Sequence, residues 1–178
     1  MKILLISTCK EKLSEYEFVN PIIEIIKSFD YDLINYRNLE TINIQLYDKV
    51  IICGTSLKDN DYLDYLPDFN KLKNHAKDIL GICSGFQVIC SIFGEEIINQ
   101  EEIGMINVET RMQNPLVSGN FQAYNMHKFS VNNVTYFNVL AKSEKTIQMI
   151  SHKKVNAFGV SFHPEVRNQK IITNFLLI

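Results

Sequence analysis

The stretch that most restricts how this chain can fold is Asp78-Ile79-Leu80-Gly81-Ile82-Cys83-Ser84-Gly85-Phe86-Gln87. Its short apolar run predicts a buried strand over 78–82, and the residues from Ser84 to Phe93 predict a helix. No loop separates the two, so Cys83 must make the turn alone. A turn that sharp puts its central residue in a strained backbone conformation. The glycines two positions either side remove side chains that would collide beneath it. A strand feeding a helix without a loop belongs to the α/β class of architectures.

The rest of the first half agrees. Lys2 to Ser7 reads as a strand buried on both faces of a sheet. Between Glu15 and Asp30, Phe18, Ile22, Ile25, Ile26 and Phe29 mark one face of a helix, which tolerates Pro21 only near its start. Tyr31 to Tyr36 and Lys49 to Cys53 read as further strands. Gly54-Thr55-Ser56 ends the latter, and a polar, tyrosine-rich loop runs to Pro67 before a helix over Asp68 to Lys77. Beyond Gly94 the expected strands are Ile106 to Thr110, Tyr136 to Ala141, Thr146 to Ile150 and Val155 to Phe162. A hairpin connection falls at Ser151 to Lys154, and a closing helix spans Asn168 to Ile178. The reading is an α/β fold: a doubly wound, mostly parallel sheet flanked by helices, with short additional strands in the C-terminal half. Residues 1–178 are read as a single domain.

Composition removes several function classes. The 178 residues carry 18 Lys+Arg against 20 Asp+Glu, a net charge of −2. No basic run exists to neutralise phosphates, so no nucleic-acid partner is expected. A chain of this size buries roughly 70% of its unfolded surface and needs no staple to stand alone. The apolar start is too short for a signal peptide or a membrane span, so no membrane partner is expected either. Cys9, Cys53, Cys83 and Cys90 form no CxxC pair or disulfide framework, which points to a reducing cytoplasm. No three histidines and cysteines share a ligand spacing, so neither metal nor cofactor is expected.

Two places carry chemistry. A lone cysteine is ordinarily a packed core residue, which is how Cys9, Cys53 and Cys90 are read. Cys83 differs, because strand–GxCxG–helix is the cysteine form of a nucleophile elbow. At a helix N-terminus its thiolate is favoured, and the Ser84 N–H supplies half of an oxyanion hole. The second place is Phe162-His163-Pro164-Glu165, where His163 follows a strand and Glu165 stands two residues on to orient its imidazole. Cys83, His163 and Glu165 then form a nucleophile, base and orienter set. His75 and His152 are read as solvated, and Tyr62, Tyr65 and Leu66 as packing under their loop, with a docking patch as the alternative.

Gly81-Ile-Cys-Ser-Gly-Phe-Gln87 followed by Phe162-His-Pro-Glu165 resembles the class I, triad-type glutamine amidotransferases over nearly the whole chain. The resemblance implies that Cys83 attacks the side-chain amide of glutamine, giving glutamate and ammonia through a thioester, with His163 and Glu165 behind it. It implies that Gln87 and Gly54 contact the bound glutamine. Within the family the details are most similar to the amidotransferase subunit of archaeal-type GMP synthases. Glu102-Ile-Gly104, the Phe121 to Lys128 segment, Val139 to Ser143 and Gly159 to Val166 carry that likeness. The Phe121 to Lys128 segment is similar to a Trp-x-Ser-His-Lys loop, which puts His127 near substrate or partner. The implied partner is a separate ATP-pyrophosphatase synthetase subunit, since 178 residues leave no room for an ammonia acceptor site.

One departure stands out. Where the family carries Ser-Gly-Gly-Pro, this chain has Cys53-Gly54-Thr55-Ser56, which puts Thr55 at the position of the second oxyanion donor. If that site demands a positive φ, a β-branched residue there is costly. In the plain reading Thr55 adopts an ordinary conformation and its N–H still serves. Otherwise the departure marks a stand-alone γ-glutamyl hydrolase or peptidase, a chain that completes its oxyanion hole only when docked to a partner, or a catalytically silent amidotransferase-like regulatory subunit.

Overall fold

In the computed structural model, which describes residues 1–74 and 77–178, nine strands form one sheet. They are β1 (Lys2–Ser7), β2 (Asp30–Asn35), β3 (Lys49–Ile52), β4 (Asp78–Ile82), β5 (Ile98–Thr110), β6 (Phe121–Ser130), β7 (Phe137–Lys142), β8 (Ile147–His152) and β9 (Ala157–Val160). Their order is β2-β1-β3-β4-β9-β8-β7-β5-β6. The first five in that order pair in parallel and the remaining four antiparallel. The expected mostly parallel core is present. The C-terminal strands are not all short, since β5 has 13 residues and β6 has 10.

Helices cover both faces. They are α1 (Glu15–Phe18), α2 (Asn20–Ile26), α3 (Leu66–Phe69), α4 (Ser84–Ile92) and α5 (Lys170–Leu176). Alternation along β1 divides the core. Ile3 and Leu5 pack with Phe18, Ile22, Ile26 and Phe175 on one side. Leu4 and Ile6 pack with Phe69, Phe86 and Ile89 on the other. Period-two side-chain direction in a strand buried on both faces produces these two half-cores. Each fully buried Leu or Ile contributes about 1.5–3 kcal/mol relative to exposure.

Several boundaries differ from the sequence reading. The helix expected from Glu15 to Asp30 is two pieces broken at Val19, because Pro21 lacks an N–H and starts a new helix near its N-terminus. The helix expected from Asp68 to Lys77 begins at Leu66 and passes into a 3-10 turn at Asn70–Asn74. Its His75 lies outside the described residues. The segment read as a loop from Phe121 to Lys128 is strand β6, paired along β5 from Ile98. His152 is half-buried rather than solvated: its ring packs on Phe93 and Phe137, and its Nδ1 accepts from the Lys154 and Val155 N–H groups. Among the described residues no helix is long and apolar enough to cross a membrane.

The glycines around Cys83 have the role expected of them. A Cβ at Gly81 would overlap the Gly85 carbonyl, and one at Gly85 would overlap the Ile52 carbonyl of β3. Helix α4 therefore sits against the sheet at backbone contact distance. Gly85→Ala is expected to lower unfolding free energy by about 1–3 kcal/mol, read as a shift of the urea midpoint at constant slope.

Candidate active site

Because β1, β3, β4 and β9 are parallel, their carboxyl ends open on one edge of the sheet. Ligand sites in open α/β sheets form there. Thr8 to Lys10 follow β1, Cys53 to Asp59 follow β3, Cys83 follows β4, and His163 stands three residues beyond β9.

Cys83 has φ 53° and ψ −105°, in the left-handed half of backbone space that a residue with a side chain avoids. The one-residue turn is held by the Cys83 N–H, which donates to the Val160 carbonyl at 2.9 Å. Its Sγ faces the Met126 carbonyl at 3.6 Å. His163 is buried and is held through its backbone N–H on the Tyr124 carbonyl at 2.9 Å. Its Nδ1 lies 2.7 Å from Glu165 Oε1. Burial alone pushes the imidazole pKa down, but the Cys83 sulfur and the Glu165 carboxylate override it and hold His163 well above its ordinary value. The Nε2 atom has no formed hydrogen bond among the described residues. The sulfur that influences it is directed at Met126, and nucleophile–base contacts of this type commonly tighten only around substrate.

Gly54 is the spacer that lets these groups meet. A Cβ there would stand 2.9 Å from His163 Cε1 and 3.2 Å from Cys83 Cβ. Any side chain at 54 would push His163 and Cys83 apart.

Thr55, Ser84, Gln87 and His127 line one narrow pocket with Cys83, Asp59, Tyr62 and Met126. Thr55 is absent from the positive-φ residues, which besides glycines are Cys83 and Asn168 among the described residues. The backbone cost feared for a β-branched residue at 55 does not arise. The N–H groups of Thr55 and Ser84 donate to no group among the described residues. For Ser84 this follows from its place at the start of α4. The Ser84 hydroxyl turns away, to Thr8 Oγ1 at 2.6 Å and the Cys53 carbonyl.

Gln87 is held at both ends of its amide. Nε2 donates to the Phe129 carbonyl at 3.1 Å, and Oε1 accepts from the Tyr62 hydroxyl. Tyr62 is buried beneath its loop, which raises its pKa. Tyr62 packs under its loop, as read from the sequence. Cys9, Cys53 and Cys90 are fully buried, and burial pushes each thiol up. Among the described residues no His, Cys, Asp or Glu group is arranged to hold a metal ion.

His127 is not on a loop. It is buried in β6, with Nε2 3.1 Å from Asn125 Nδ2. Asn125 in turn donates to Glu102 on β5, whose Oε2 also accepts from Ser143, Thr146 and Gln148 at 2.7–2.9 Å. Burial lowers the His127 pKa to about 4, so at neutral pH the imidazole is uncharged. Sequence reasoning flagged Glu102 only by resemblance and missed Asp59 and Tyr62 as pocket residues. Acidic or aromatic residues in a polar loop carry no spacing signal of their own.

The comparisons with known proteins fit this geometry. The family model for class I glutamine amidotransferases matches residues 14–177, and the chain belongs to that family. Within it, the chain is 30% identical to the glutamine-hydrolysing GMP synthase subunit of Sulfolobus acidocaldarius over 74% of this chain and 77% of that protein. It is 35% identical to the same-named protein of Methanocaldococcus jannaschii over 61% of this chain and 68% of that one. Among solved structures, a Thermoplasma acidophilum protein described as the corresponding GMP synthase subunit superposes with a TM-score of 0.87 at 20% identity, covering 99% of this chain and 92% of that chain. A glutamine amidotransferase from Thermotoga maritima superposes at 0.72 and 21% identity, covering 99% and 81%. These two likenesses concern the fold.

The His127 cluster predicts a stability signature. A folded-state pKa near 4 against about 6.5 unfolded means that the unfolded chain binds the proton first as pH falls. This contribution is present above pH 6.5 and is lost between there and pH 4, by about 3 kcal/mol. His127→Gln should flatten that part of the profile in urea titrations run across the window. Glu102→Leu strands the donors around it and should cost about 2–3 kcal/mol, measured in the same way.

Proposed function

We propose that this chain is a glutaminase that splits the side-chain amide of glutamine and passes the ammonia to a separate synthetase subunit. The observation that carries the reading is the convergence of a strained Cys83 at φ 53° with a His163 imidazole ligated 2.7 Å away by buried Glu165. The family match and the relatives named as glutamine-hydrolysing subunits support the same substrate.

The steps follow from those positions. Cys83 passes its proton to His163, and the thiolate attacks the amide carbon. The Thr55 and Ser84 N–H groups receive the developing oxyanion, the environment in which fixed donors act most strongly. Collapse breaks the C–N bond as His163 returns the proton to the leaving nitrogen, releasing ammonia and leaving a thioester on Cys83. Water then attacks the thioester carbonyl, His163 takes its proton, and glutamate departs as the thiol is restored. Glu165 keeps the imidazole oriented and stabilises its charged form. Gln87 and His127 hold the substrate, and Gly54 keeps the passage between base and nucleophile clear.

The pocket, about 20 Å3, has room for about one water. In this reading residues 1–178 are one amidotransferase domain, and the ammonia acceptor site is on an ATP-pyrophosphatase partner.

Glutamate release from glutamine tests the proposal. Cys83→Ala should lose at least about 1,000-fold in kcat, and Glu165→Gln at least about 100-fold with KM little changed. A diazo-ketone analogue of glutamine should attach at Cys83. Turnover should rise when a GMP-synthase ATP-pyrophosphatase subunit, ATP and xanthosine monophosphate are present. Labelling at another residue, or no turnover even with that partner, would overturn the reading.

A further inference from the structure

Thr55 stands where the resemblance to the family leads one to expect glycine, and its side chain is engaged. Its hydroxyl donates to Asp59 Oδ2 at 2.9 Å, with both residues buried. The same carboxylate oxygen accepts the Lys10 backbone N–H at 3.1 Å. Lys10 lies in the loop after β1, and two more contacts from that loop reach the segment around Thr55. Thr8 Oγ1 donates to the Cys53 carbonyl at 2.9 Å, and Cys9 Sγ faces the Gly54 carbonyl at 3.7 Å.

Together these contacts fix one peptide plane. In a trans peptide the C=O and the following N–H point in opposite directions. With the Gly54 oxygen turned to Cys9, the Thr55 N–H is turned away from it, on a residue that lines the Cys83 pocket. Rotating that plane would break the Cys9 contact, and a net turn of Thr55 with it would draw the hydroxyl off Asp59. A glycine at 55 would leave the plane without the second anchor.

We propose that Asp59 is a positioning residue for the oxyanion hole. Through the Thr55 hydroxyl it fixes the direction of the Thr55 N–H, a side-chain anchor that a glycine at 55 could not provide. The inference rests on the glutaminase reading above. Asp59 touches no reacting atom, so its removal should weaken stabilisation of the tetrahedral species while leaving glutamine binding intact.

The test is steady-state glutamine hydrolysis by the full chain, with the synthetase subunit present, for Thr55→Val, Asp59→Ala, their double variant and Thr55→Ser. Thr55→Val keeps the backbone N–H and the branched shape but loses the hydroxyl. Each single variant should lose about 10–100-fold in kcat with KM within about threefold of wild type. The double variant should fall no further than the worse single, since both remove one interaction. Thr55→Ser, which restores the hydroxyl, should recover most of the loss seen in Thr55→Val. Alkylation of Cys83 by iodoacetamide develops no oxyanion, so its rate should be the same in all variants, which separates a misaimed donor from a collapsed site.

Three results would overturn the inference while wild-type turnover stands. They are unchanged kcat in both single variants, a Thr55→Ser as impaired as Thr55→Val, and alkylation slowed in proportion to kcat. Absence of glutamine turnover by the wild-type chain and its partner would instead overturn the glutaminase reading, and this inference with it.

Discussion

The passage from β4 to α4 through Cys83 alone is the constraint on which the site depends. Backbone at φ 53° is unfavourable for a cysteine and persists because its surroundings over-determine it. The Cys83 N–H is tied to Val160, and the first turn of α4 rests on the Ile52 carbonyl with no atom to spare at Gly85. Strands β3, β4 and β9 must therefore be in register before the turn can form. The assembled sheet thus holds Cys83 in a conformation that its glycine-flanked local sequence permits.

Strand β6 supplies the other half of the alignment. Its carbonyls at Tyr124, Met126 and Phe129 meet, in turn, the His163 backbone, the Cys83 sulfur and the Gln87 side chain. One extended strand thus sets His163, Cys83 and the Gln87 amide at the spacing of its own residues. The inward residues of the same strand, Asn125 and His127, are fixed through Glu102 on β5. A buried carboxylate that accepts so many hydrogen bonds resists any slip of β5 against β6, because a one-residue shift would turn it to the other face.

The elements that were legible in the sequence are those whose apolar residues follow one period. The strands β1, β3 and β4 and the helix α4 lie in the parallel half, buried on both sides, and their runs are continuous. The hairpin of β5 and β6 was mostly hidden, because its inward positions are polar: Glu102, Asn125 and His127 sit where an apolar alternation is expected. Pro21 was visible as an obstacle, but its effect, a break at Val19, depends on how α1 and α2 pack on the sheet. The identities of Cys83, His163 and Glu165 were readable as motifs, since sharp turns and a His-x-Glu spacing leave marks in the chain. Tyr62 and Met126 left none, because each acts across a long sequence separation, and Asp59, four residues from Thr55, left none because an acid in a polar loop has no motif to mark it.

The amino-acid order by itself pointed to the class of fold, to the strained cysteine turn and to Cys83, His163 and Glu165 as one set. Those rest on local rules: apolar period, glycine placement and the short reach of Glu165 to His163. The tertiary structure alone decided the conformation and the partners of Thr55. Its conformation is ordinary, its hydroxyl is anchored on Asp59, and its carbonyl neighbours are held by a loop more than 40 residues earlier in the chain. No local rule carries that answer, because the direction of a peptide plane is set by hydrogen-bond partners that only folding brings together.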